Sequence, residues 1–187
     1  MSEHPGRSRP ARRRTVKAAG KVCPCCGRDI ASVDREVRFG VPDVFMALSD
    51  EERDERQSHR GENFMRLAPD RFFVRGLLPV RLSDGHEFRF GVWLEINSET
   101  CVTLMSAWDE AEYASTVFDG QLANAVPPWG QNLLDKPCQA GVRDRKQLPF
   151  IRSSTDIELH AVLSTLWPRS ACEELVADVW DRPGSRG

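Results

Sequence analysis

The sequence predicts an α+β domain: an antiparallel sheet built round a central hairpin, with helices packed on it and an N-terminal cysteine knuckle. Three observations predict it. Residues 72–82, "FFVRGLLPVRL", and 86–96, "HEFRFGVWLEI", alternate with period two, as half-buried strands do. Only the turn residues Ser83-Asp84-Gly85 separate them. Helix signals flank the pair: a capping box before it and an apolar i, i+3, i+4, i+7 spacing after it.

In chain order, residues 1–20 are polar and basic and are expected to form a disordered tail, residues 21–181 a single domain, and residues 182–187 a flexible end. Ser49 with Glu52 makes a capping box for a helix over about residues 50–59. That helix is polar all round, so its charges read as a solvated face. In the first strand Phe72, Val74, Leu78, Val80 and Leu82 share a face, and in the second Phe88, Phe90, Val92, Leu94 and Ile96 do. A two-residue loop would set Leu82 against Glu87 and mismatch these faces. A three-residue loop sets Leu82 against His86 and puts Gly85 where a left-handed residue is wanted. A helix over about 98–108 follows, with Cys101, Leu104, Met105 and Trp108 on one stripe. Residues 118–137, rich in Pro and Gly, read as a long irregular connection, and 138–159 as two short strands. A second capping box, Ser170 with Glu173, starts a closing helix that "RPG" at 182–184 ends.

Composition bounds the function. A chain of 187 residues, 40% hydrophobic and 29% charged, can bury a core without disulfides or metal. No apolar run is long enough to span a membrane, and residues 1–20 lack the apolar centre of a secretory signal, so a cytoplasmic protein is expected. The formal net charge of −2 conceals an asymmetry: residues 1–21 hold seven Lys/Arg against one acid, leaving the remaining 166 residues at −8. An acidic body argues against specific nucleic-acid binding, which needs a basic face to neutralise phosphates.

The stretch "KVCPCCGRDI" carries the clearest chemistry. Cys23 and Cys26, spaced as C-P-x-C-G, can take two corners of a zinc tetrahedron, with Gly27 supplying the tight turn. Cys25 points away or serves as a spare ligand. No second C-x-x-C completes the site, and Cys101 and Cys172 sit on apolar stripes as core thiols. Zinc is thus the one cofactor the residues suggest. Redox use of Cys23 and Cys26 lacks a thioredoxin-like context, and a Cys26 nucleophile with His160 as base lacks any fixed geometry. No P-loop, dinucleotide fingerprint, G-x-S-x-G or H-E-x-x-H is present.

The order C-x-x-C-G, "LSDEERDER", "FFVRGLLPV", "FRFGVWLEI", a Trp-ending helix, "GQLANAVPPW" and a late His resembles the bacterial family called domain of unknown function 2199, over about residues 21–180. The resemblance implies an α+β fold and a bacterial origin, and it brings no activity. In that family C-x-x-C-G is often followed by x-x-His, a position held here by Ile30.

These readings favour a non-enzymatic binding or regulatory domain that contacts another protein. The alternatives are an immunity or antitoxin-like protein masking a basic partner, and an enzyme using Cys26 or a bound metal. The candidate contact surface is the odd-numbered face of the hairpin, with Phe73, Arg75, Arg89 and Trp93. The chosen register sets Arg75 across from Trp93, within reach of a cation–π contact. The competing expectation is that a helix covers this face and makes Trp93 a core residue.

Overall fold

The structure, a computed structural model, describes residues 36–108, 110–168 and 170–171. The elements are β1 (Glu36–Arg38), α1 (Asp43–Met46), α2 (Asp50–Arg56), β2 (Gln57–Arg60), β3 (Phe64–Leu67), β4 (Arg71–Arg81), β5 (Glu87–Ile96), α3 (Ser98–Ala107), β6 (Val117–Leu122), β7 (Pro137–Gly141), β8 (Phe150–Ser153) and α4 (Ile157–Ser164), with 3-10 turns at Ala111–Ser115 and Gln131–Leu133. The cysteine knuckle and the closing helix beyond residue 171 lie outside the described residues.

The α+β class holds, and the hairpin is central, but the sheet is not a simple antiparallel layer. Strands β4 to β8 run as a meander that closes on itself through a parallel contact between Leu77 of β4 and Phe150 of β8. This makes a five-stranded barrel. Strands β3 and β2 extend it from the start of β4, and β1 lies parallel to β5 over residues 89–91. Closure removes the edges that an open sheet would leave unpaired.

The hairpin has the register expected of a three-residue loop, with Arg81 opposite Glu87, Arg75 opposite Trp93 and Phe72 opposite Ile96. Leu82 N donates to His86 O at 2.8 Å, and Gly85 adopts φ +86°, a conformation that costs glycine nothing. Nine even-numbered side chains from these strands enter the main core: Val74, Leu78, Val80 and Leu82, then Phe88, Phe90, Val92, Leu94 and Ile96. Each contributes roughly 1.5–3 kcal/mol by burial. That outweighs any single polar contact on the sheet. At the open end of the hairpin, Arg71 grips the Glu95 carboxylate with both Nε, at 2.7 Å, and Nη2.

Helices pack against the ends of this barrel. α3 follows β5 directly, and its Cys101 and Leu104 join the main core, whereas Met105 stays exposed. Asn97 caps it by accepting from Thr100 N. α2 keeps the expected capping box, Ser49 N to Glu52 Oε2 at 2.8 Å and Glu52 N to Ser49 Oγ at 3.2 Å, and buries nothing. It ends at Arg56, earlier than expected, because residues 57–60 turn into β2 and pair with β3.

One further expectation is corrected. The supposed irregular stretch 118–137 begins with β6, whose alternation is broken by Gly120. A Cβ there would meet Glu95 O at 2.9 Å, so β6 can lie against β5 only with glycine at that point. Residues 138–159 hold the two short strands expected, β7 and β8, and the last of these residues open α4. Asp156 makes that helix by accepting from Glu158 N and Leu159 N, both at 3.0 Å, and Leu159 and Val162 then reach the core.

The Asp156 cap has a pH signature. The Leu159 N–H, the Lys136 ammonium at 3.0 Å and the Glu158 N–H hold its carboxyl below the ordinary value. Its stabilisation is therefore complete above the usual carboxylate range and is lost as pH falls through the depressed folded value. Asp156→Asn should flatten the acid limb of a Tm-against-pH curve. A variant with the wild-type acid slope would show that the cap contributes nothing to it.

Candidate functional site

Two of the four hairpin residues expected to form one open surface, Phe73 and Trp93, are covered by the fold, as the competing expectation for this face has it. Trp93 is 1% exposed and Phe73 is fully buried. They belong to a second core with Val41, Phe45, Met65, Leu67 and Ala123. The open-face expectation is therefore corrected: the segment carrying α1 lies over this part of the sheet. Phe39 O accepts from Trp93 Nε1 at 3.2 Å, and Asn124 Oδ1 accepts from Trp93 N at 2.8 Å. The Arg75–Trp93 contact does form, with the guanidinium carbon 5.0 Å from the ring centroid. Arg89 stands four residues away along the strand, bonded to Glu87 at 3.1 Å and set over the Phe150 ring. Cys23, Cys25 and Cys26 lie outside the described residues. Among the described residues, no three His, Cys, Asp or Glu side chains converge as a metal site, and Cys101 and Cys138 are buried thiols. Burial raises the Cys138 thiol to about 12, so it stays protonated at neutral pH.

The concavity that does gather functional side chains lies beside Arg75. It is a cavity of about 620 Å³, within the size range of small-molecule sites. Arg38 at the end of β1, Arg75 in β4, and Arg145 and Lys146 in the β7–β8 loop bring four cations to it, against one carboxylate, Glu62. The rest of the wall is aromatic and amide: Trp108, Tyr113, Asn63 and Gln147, with Leu148.

Local chemistry sets this wall. Asp144 accepts from Lys146 N at 2.9 Å, and its carbonyl accepts from Gln147 N at 2.9 Å, which folds the loop into a tight turn. The Tyr113 hydroxyl donates to Gln147 O at 3.3 Å and ties that loop to the 3-10 turn. Burial pushes the Tyr113 phenol well above its ordinary value, so it remains a neutral donor. Trp108, at the C-cap of α3, packs edge-on to Phe64 at 4.8 Å and tilted against Tyr113 at 4.7 Å. On the other wall Arg75 N donates to Asn63 O at 2.9 Å, fixing the β2–β3 turn beside β4.

Sequence reasoning placed only Arg75 of these residues in a site. Trp108 was read as part of the α3 stripe. The one available signal for the rest was "VRDRK" at 142–146, a basic run in an otherwise acidic body. Nothing local links it to Arg38 or Trp108.

The fold and the cavity define an α+β barrel protein with a basic, aromatic-walled pocket and no described helix long and apolar enough to cross a membrane. The chain belongs to the bacterial family DUF2199, described as uncharacterized protein conserved in bacteria, which it matches over residues 22–163, about three quarters of its length. No curated protein and no solved structure matches it.

Proposed function

We propose that this chain is a non-enzymatic binding domain that takes an anionic ligand in the cavity beside Arg75. One observation carries the reading: four cationic side chains face one concavity in a body that is otherwise net acidic. A multiply charged anion complements cations brought to one concavity. The binding role expected from the sequence is contact with another protein at the hairpin face; the proposed ligand is instead an anion in the cavity.

Isothermal titration of the full chain with inorganic pyrophosphate at low salt tests this. Binding is expected, and it should weaken as salt rises. Arg145→Ser with Lys146→Ser, both exposed loop positions, should leave Tm unchanged. The double variant should weaken binding by about tenfold or more, since a hydrogen bond to a charged group contributes roughly 1.5–3 kcal/mol. Absence of binding, or equal binding by the double variant, would overturn the proposal.

A further inference from the structure

Resting on that reading, we infer that the anion is a nucleotide, with its phosphates at the cationic loop and its base against Trp108. The cavity combines two chemistries. Arg145 and Lys146 from the loop, with Arg38 of β1 and Arg75 of β4, suit a polyphosphate. The same lining includes Trp108, which remains partly exposed although Phe64 and Tyr113 hold two sides of its ring. An indole fixed by two aromatic neighbours and still open to a cavity has little entropy to lose when a planar ring stacks on it.

The polar groups fit the same ligand. Asn63 and Gln147 bring amides, and Glu62 brings a carboxylate, to a cavity whose other walls are charged or aromatic. Amides can meet both donors and acceptors on a base edge, and a carboxylate suits ribose hydroxyls. A simple inorganic anion would use only the cations and leave Trp108 without a role. A single-stranded nucleic acid would need an extended basic track, whereas the body outside the tail is net acidic.

The test compares ADP, GDP, adenosine and inorganic pyrophosphate by isothermal titration with the full chain. A nucleoside diphosphate is expected to bind at least about fivefold tighter than pyrophosphate, the lower end of what one stacked base contributes. Trp108→Leu should bring the nucleotide down to the affinity of pyrophosphate and leave pyrophosphate itself unchanged. If neither ADP nor GDP exceeds pyrophosphate in the wild type, the nucleotide inference fails while the anion-binding reading stands. If pyrophosphate and both nucleotides all fail to bind, both fall. Should Trp108→Leu not fold, the wild-type affinity ratio still decides, and Trp108→Phe, which keeps a ring, should retain the nucleotide preference.

Discussion

Trp93→Ala is expected to lower the free energy of unfolding by about 3–5 kcal/mol, the range for truncating a fully buried large aromatic. For a chain of this length that is a fall in Tm of roughly 6–20 °C. The size follows from what the ring touches. Trp93 joins Phe73, Met65 and Leu67 on the sheet to Val41 and Phe45 from the segment laid over it. Its loss opens a cavity and removes the Nε1 bond to Phe39 O that holds that segment down. The Arg75 cation–π contact adds only about 0.5–1 kcal/mol. Thermal denaturation followed by far-UV circular dichroism measures the effect. A loss below about 1 kcal/mol, as surface positions give, would mean that Trp93 is not packed as described.

Asn124→Ala should cost about 2–4 kcal/mol, because each buried polar group left without a partner costs roughly 1–3 kcal/mol. Asn124 is fully buried and serves several groups at once. Its Oδ1 accepts from Trp93 N at 2.8 Å, and its Nδ2 donates to Val41 O at 2.9 Å and to Asp43 Oδ1 at 3.0 Å. Asp43 Oδ2 in turn accepts from Ala125 N at 2.7 Å. The side chain thus pins the start of α1 to β5. Asn124→Asp separates this account from a simple packing loss. It keeps the acceptor for Trp93 but sets a second carboxylate against Asp43. The like charge raises the folded pKa of the pair above the unfolded value. The like-charge part of the destabilisation is then absent below the ordinary carboxylate range and grows as pH rises through the raised value, whereas the lost Nδ2 donor costs stability at every pH. Urea unfolding at pH 4 and pH 8 reads this. A variant equally destabilised at both would rule out the carboxylate pair as its cause.

What the sequence by itself determined is what short-range chemistry decides. The hairpin register follows from turn stereochemistry and side-chain alternation, both contained within residues 72–96, and the observed pairing of Arg75 with Trp93 follows from that register. The α2 capping box and the α3 stripe are likewise local, set by residues three or four apart. Elements were missed where local signals conflict. β6 is interrupted by a glycine that its neighbour on β5 requires, and α4 rests on one Asp cap ahead of residues that also suit a strand.

Tertiary structure alone decided the rest. Only barrel closure, through Leu77 and Phe150, turns the sheet back on itself. The bonds from Asn124 to Val41 and Asp43, across more than 80 residues, together with the packing of Val41 and Phe45, lay α1 over Trp93 and bury the face that the alternation left open. The cavity follows the same logic, since Arg38, Arg75, Trp108 and Arg145 are far apart in the chain. A residue's secondary structure is set largely by neighbours within a turn or a ladder. Whether its outward face meets water, a lid or a ligand is set by which distant segment packs there, and that is a property of the folded chain.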